Sequence, residues 1–197
     1  MRGLLVVFEG LDQSGKQTQA ERLRDRLVAA GRSVRLLSFP SYDTPIGGEI
    51  GRALKGERDY RADTMQLLYV ANRFEWKPEI ERELTAGTVV VCDRYLASSV
   101  AYGEAFGLDP AWLTEIQRYL PRPDVTVLLD IDPQVSASRK VADRDKYERD
   151  LSLLSRVRES YLRQASAPGW LRLDAGRDRD AVAADVFAAV AALPASG

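Results

Sequence analysis

Histidine is absent from the 197 residues, and cysteine occurs once, at Cys92. The first absence excludes Ser-His-Asp triads, Cys-His pairs and histidine-ligated metals. The second excludes an intrachain disulfide framework and a multi-cysteine zinc site. Charge of neither sign is in surplus. The net charge is −1, so no global basic excess marks a nucleic-acid surface. No apolar run is long enough to cross a bilayer. Met1-Arg2-Gly3 leads straight into a strand-like run and is read as leaving no room for a signal peptide. The expectation is a cytoplasmic location, with neither membrane nor nucleic acid as a partner. Internal repeats and low-complexity linkers are missing as well. Chemistry therefore falls to Lys, Arg, Asp, Glu and hydroxyl groups. Phosphoryl transfer suits that set, because its catalysis is mostly positioning and cationic stabilisation.

What is present is ordinary in bulk and specific in detail. Hydrophobic residues make up 45% and charged residues 29%, as in a soluble globular protein. The length suits one domain over residues 1–197, large enough for a proper core. Leu4 to Phe8 is a short apolar run, long enough for one buried strand. Gly10 opens a turn, and Gly15-Lys16 follows it. Ala20, Leu23, Leu27 and Val28 then recur at helical spacing among charged residues. Strand, G-x-x-x-x-G-K and helix together form the context of a phosphate-binding loop. Glycines let successive N–H groups point into one concavity, and the following helix adds its positive end. Lys16 would reach the outer phosphates as a mobile charge. Gln17 stands where a magnesium-binding Ser or Thr is expected, with Thr18 one residue late. The alternative is a strand-to-helix turn that binds nothing.

Apolar runs then alternate with helical segments, which argues for α/β architecture around a parallel sheet. The spacing predicts a helix from about Gly15 to Ala30 and a strand from Ser33 to Phe39, ended by Pro40. The loop after it should line a site, since ligands bind beyond the carboxyl ends of parallel strands. Thr44-Pro45 predicts a helix start, and Asp63 a cap for a long helix to Leu84. Leu67, Leu68, Ala71, Phe74 and Ile80 mark the expected buried side of that helix, and Pro78 should kink or split it. Tyr69 and Arg73 are four apart and share a helix face. They either stack on and hydrogen-bond a flat base, or form a core tyrosine beside a solvated arginine. Thr88 to Cys92 is a further strand, with Asp93-Arg94 at its carboxyl end. Asp93 is a candidate to hold magnesium through water, and Arg94 to face phosphates; a surface ion pair is the alternative. Ser98, Ser99 and Tyr102 fall on the first turns of the next helix.

Asp109-Pro110 predicts a helix to about Leu120, and Val125 to Ile131 a strand. A helix capped by Asp132-Pro133 carries Ser138-Arg139-Lys140. The stretch from Lys140 to Asp150 is dense in charge. It is either a lid whose cations close over phosphates or a solvated helix. An amphipathic helix from Leu151 to Gln164, a strand from Trp170 to Leu173 and a helix from Asp180 to Leu193 complete the chain.

Taken together, the motifs resemble the thymidylate kinase family. FEGLDQSGKQTQ resembles its phosphate loop, FPSYDTPIG its Phe-Pro segment, and LLYVANRFEWKPEI its base-binding helix. VCDRYLASSVAYG resembles the family signature and is the most specific part. VTVLLDIDP with Arg139 and DKYE resembles the run into the lid. The resemblance spans nearly the whole chain. It implies a three-layer P-loop kinase fold, with a five-stranded parallel sheet in the order 2-3-1-4-5 and a small lid near 140–150. It implies transfer of the ATP γ-phosphate to dTMP, with magnesium, in a homodimer joined through helices on one face of the sheet.

The resemblance also implies residue roles. Gly10, Leu11, Asp12, Gln13, Ser14, Gly15, Lys16, Gln17 and Thr18 would surround the ATP phosphates, with Gln17 at most a weak or water-mediated magnesium contact. Asp12 would accept from the substrate 3′-hydroxyl. Phe39 and Pro40 would line the substrate pocket, Tyr69 would stack on thymine and Arg73 would bond its O4 edge. Arg94 would bind the dTMP phosphate, with Ser98 and Ser99 near the substrate. Asp93 would help organise magnesium, and Tyr102 would pack on the sugar. Arg139 would lie against adenine, with Gly176 and Arg177 in the loop on its other side. Glu148 would sit near the substrate.

Departures from the family pattern are informative. Ser41 and Tyr42 stand where an Arg is common, Gly103 where Gln is frequent, and Lys146 where Arg is usual. Gln13 is uncharged, so the catalytic cation is expected from the lid, among Arg139, Lys140, Arg144, Lys146 and Arg149, with Arg144 favoured. A broader pyrimidine nucleoside monophosphate kinase and a nucleotide-binding regulatory module with little activity are the alternatives. A nucleoside kinase would give Arg94 no purpose.

Overall fold

The computed structural model describes residues 2–139 and 150–193. Five strands form one parallel sheet in the order β2-β3-β1-β4-β5. They are β1 (Leu5–Glu9), β2 (Val34–Ser38), β3 (Val89–Asp93), β4 (Val125–Asp130) and β5 (Trp170–Asp174). The central three are near-continuous apolar runs, as parallel strands covered on both faces must be. Successive β1 side chains serve opposite layers. Leu4, Val6 and Phe8 pack with Leu23, Leu27, Val182 and Val186. Leu5 and Val7 pack with Val70, Ile80, Leu84 and Tyr95 on the other face.

The first layer is made by α1 (Lys16–Ala29) and α8 (Arg179–Ala191), the second by α3 (Ala62–Thr85), α4 (Leu96–Ala105) and α7 (Leu151–Gln164). α2 (Pro45–Leu54), α5 (Pro110–Glu115) and α6 (Pro133–Arg139) are shorter connecting helices. Local signals explain their starts. Thr44 Oγ1 accepts from Gly47 N at 3.0 Å, and Asp150 and Asp178 cap α7 and α8 through their carboxylates. Gly31, just past α1, has φ +78°, the left-handed conformation of a helix C-terminal glycine. The order and flanking layers agree with the fold that the sequence motifs imply.

α3 differs in three respects. It begins two residues earlier than the spacing suggests, with Arg61 in the cap position. The Asp63 carboxylate accepts from the Thr64 N–H at 2.7 Å inside the first turn, where its charge favours the helix dipole. The helix also runs through Pro78 without dividing, because Ile80 and Leu84 anchor the turns beyond it in the core. Its buried side is not the purely apolar one. Leu67 is 48% exposed, whereas Asn72 and Arg73 are buried with hydrogen-bond partners. α5 is shorter than the spacing suggests. After Glu115 the chain tightens into turns, with Gln117 N and Arg118 N donating to carbonyls only three residues back.

Candidate active site

All the strand ends that matter point to one edge. Gly10 leaves β1 there at φ +142°, and a Cβ on it would stand 2.5 Å from Leu129 O, so only glycine fits. Gly15 at φ +92° turns the loop into α1. Gln13 and Arg94 also hold left-handed backbone, at φ +60° and +65°. Each such non-glycine residue costs on the order of 1 kcal/mol. Both lie in this one region, and the strain is concentrated where chemistry is expected.

Lys16 is 5% exposed, and its Nζ donates to Leu11 O at 2.7 Å. Burial and the neighbouring Arg94 charge lower its pKa to about 8, against the pull of Asp12, Asp93 and Glu9. The ammonium is thus held inside the loop, short of full hydration. Ser14 Oγ is buried with no partner among the described residues. Gln17 and Thr18 face solvent, and the Gln17 amide donates to Glu21 along the helix at 3.0 Å.

Arg94 organises the next shell. Its Nη2 donates to Asp12 Oδ1 at 2.6 Å, and its Nη1 to Ser98 Oγ at 3.1 Å and Tyr161 OH at 3.3 Å. Tyr102 OH donates to Asp12 Oδ2 at 3.1 Å, and its ring lies 5.3 Å from the guanidinium. Burial alone would raise the Asp12 pKa, but the charges of Arg94 and Lys16 and the bonds from Arg94 and Tyr102 hold it far below the usual carboxylate range. Beneath this lies Glu9, fully buried. It accepts from Tyr95 N at 2.9 Å, Ser98 N at 3.2 Å, Ser98 Oγ at 2.6 Å and Tyr161 OH at 3.0 Å. The hydroxyls of Ser98 and Tyr161 therefore relay a buried carboxylate to the Arg94 guanidinium.

A cavity of about 440 Å³ opens from this cluster. Asp12, Arg94, Ser98 and Tyr102 form one end, and Phe39, Pro40, Tyr69, Arg73 and Ser99 continue the wall. Phe39-Pro40 is a cis peptide, and the loop after it is pinned by Asn72, whose Oδ1 accepts from Ser41 N at 2.8 Å. Tyr42, in the loop after Pro40 that was expected to line a site, is part of the wall, as are Tyr60, Met65, Gln66 and Phe106, which sequence spacing did not single out as lining. Arg73 is 3% exposed and donates to Ser99 Oγ at 2.7 Å, so it is not a solvated surface arginine.

Across the phosphate loop, Arg139 Nη1 donates to Gln13 O and its Nη2 to Ala175 O, both at 3.2 Å. It spans the phosphate loop and the loop after β5. In that second loop Gly176 N donates to Asp174, and Arg177 turns away to Asp185 on α8. Asp93 Oδ1 is buried without a partner among the described residues. Arg144 and Glu148 lie outside the described residues, as does most of the expected lid.

The thymidylate kinase family model matches residues 8–186. The chain belongs to the thymidylate kinase family. It is 36% identical to the Plasmodium falciparum thymidylate kinase over 186 residues, covering 94% of this chain and 88% of that one. Against the human thymidylate kinase it is 34% identical over 189 residues, with the same coverage. A solved thymidylate kinase structure from Candida albicans superposes with a TM-score of 0.82 at 29% identity, covering 96% and 92% of the two chains. The segment VCDRYLASSVAYG supplies Arg94, Ser98, Ser99 and Tyr102 of the cavity wall. Glu9 and Tyr161 were not legible from the sequence. A lone carboxylate closing the apolar run LLVVFE was the one available signal for Glu9. Tyr161 sits in an ordinary amphipathic helix, and nothing in its spacing sets it apart.

Proposed function

We propose that this chain transfers the γ-phosphate of ATP to dTMP, giving dTDP and ADP. The observation that carries the reading is the joining of two cations by one carboxylate. Lys16 rises from the phosphate loop and Arg94 from the end of β3, and Asp12 lies under the influence of both. A donor phosphate chain on the loop and an acceptor phosphate at Arg94 would meet there. Phosphoryl transfer needs little else than such alignment and charge neutralisation.

The cavity supplies the acceptor's remaining contacts. Tyr69 offers a flat face to a base, and Arg73 offers a donor to a carbonyl on its edge. Tyr102, tied to Asp12, packs on the deoxyribose, and Asp12 accepts from its 3′-hydroxyl. On the donor side, Arg139 lies where adenine would stack, with the loop carrying Gly176 opposite. Magnesium fits Asp93, whose buried Oδ1 lacks a partner among the described residues, better than it fits the solvent-facing Gln17. Bound there, the ion would neutralise charge on the phosphate oxygens. By family resemblance Arg144 supplies the cation on the transferring group, and the chain pairs with a second copy through helices of one sheet face.

The experiment is a panel of nucleoside monophosphates with ATP and magnesium. dTMP should be phosphorylated well ahead of dUMP, dCMP and UMP. Equal turnover of UMP would leave a general pyrimidine monophosphate kinase, and calorimetric nucleotide binding without turnover a regulatory module.

A further inference from the structure

Arg73 is a buried cation whose hydrogen-bond partners are neutral. Its Nη1 donates to Ser99 Oγ at 2.7 Å and to Gln117 Oε1 at 3.1 Å. Gln117 lies outside the substrate cavity, in the turns after α5, and is 1% exposed. Its amide cannot be reversed. Nε2 donates to Leu113 O at 2.8 Å and to Leu96 O at 3.2 Å. Rotation by half a turn would set Oε1 against two carbonyl oxygens and Nε2 against the guanidinium. The two carbonyls, one on α4 and one on α5, thus fix which end of the amide faces Arg73.

We propose that Gln117 is a positioning residue for base recognition. It clamps Nη1 from behind, so that the remaining edge of the guanidinium is presented to the cavity. Nε is buried without a hydrogen-bond partner among the described residues. The clamp is a neutral acceptor, where a carboxylate would form an ion pair and draw the charge away from the cavity. A cation so held favours a base with a carbonyl oxygen on the facing edge and disfavours one with an amino group there, since guanidinium only donates. The inference rests on the reading of Arg73 as the base contact.

Gln117→Met keeps the length and volume of the side chain and removes its acceptor. The expected result is a rise in KM for dTMP of about tenfold to a hundredfold, the scale of a lost hydrogen bond to a charged group. kcat and KM for ATP should stay within about threefold, and the preference for dTMP over dCMP should shrink along with dTMP binding. In an Arg73→Met background, Gln117→Met should add nothing to KM for dTMP. If Arg73→Met raises that KM and Gln117→Met does not, the positioning role is overturned while the base contact stands. If Arg73→Met leaves KM for dTMP unchanged, the base-contact reading itself fails and takes the proposal with it. Equal losses in kcat and in both KM values, with a lowered melting temperature, would mean mere packing and also overturn it. Should Gln117→Met not fold, Gln117→Asn, which keeps the amide but shortens the reach, is judged on the same readouts.

Discussion

Lys16 gives the sharpest quantitative prediction. Its ammonium is buried in the phosphate loop, and its pKa falls from an ordinary 10.5 to about 8. Each pH unit of such a difference corresponds to about 1.36 kcal/mol, so the charged form destabilises the empty fold by on the order of 3 kcal/mol. The sign follows from proton counting. Below pH 8 folded and unfolded chains both carry the proton, and this cost is present in full. Between about 8 and 10.5 the unfolded chain binds the proton and the folded one does not, so stability from this group rises with pH. The perturbation is Lys16→Met, which keeps the stem and deletes the charge. Urea unfolding of both proteins without nucleotide, at a series of pH values, isolates the group in their difference. Wild type should gain on the variant by about 2 to 3 kcal/mol between pH 7 and 10.5. A flat difference would refute the reasoning and mean that Lys16 titrates as a solvated lysine. Function should run the other way: phosphates select the ammonium, so kcat/KM for ATP should fall above about pH 8.

Other consequences are simpler. Arg94→Ala removes the guanidinium shared by Asp12, Ser98 and Tyr161, and kcat/KM for dTMP should fall by about 3 kcal/mol, more than a hundredfold; an unchanged value would remove Arg94 from the phosphate. Asp12→Asn should flatten acid unfolding. The native carboxylate, held far below its ordinary 3.8, contributes stability above that pH which is lost as pH falls through and below it. Gly103→Gln, the residue frequent in the family, should destabilise by about 1 to 3 kcal/mol in thermal melts. A Cβ there would lie 2.6 Å from Leu113 Cδ1, and Leu113 is fully buried.

The sheet was legible because its strands are short apolar runs bounded by Gly, Pro or Asp, and each lies within a residue or two of the place its pattern indicates. The phosphate loop was legible because its glycines answer to backbone geometry that no other residue meets. α3 misled for a physical reason. A helix that lines a polar site also buries Asn72 and Arg73, so apolar periodicity finds Leu68, Phe74 and Ile80 on the covered side but misplaces Leu67 and misses the buried polar residues. Glu9, Gln117 and Tyr161 act through long-range hydrogen bonds, and no local spacing encodes those. For Gln117 the information lies in two backbone carbonyls brought together by folding.

The central claim is that the Lys16, Asp12 and Arg94 cluster and the cavity beside it serve phosphoryl transfer to dTMP. Initial rates with ATP and magnesium, measured in parallel on dTMP, dUMP, dCMP and UMP with chromatographic detection of the diphosphates, test it directly. The account predicts dTDP and ADP in equal amounts, with kcat/KM for dTMP well above the other three. Binding of both nucleotides without any dTDP formed, or equal rates on UMP, would contradict it.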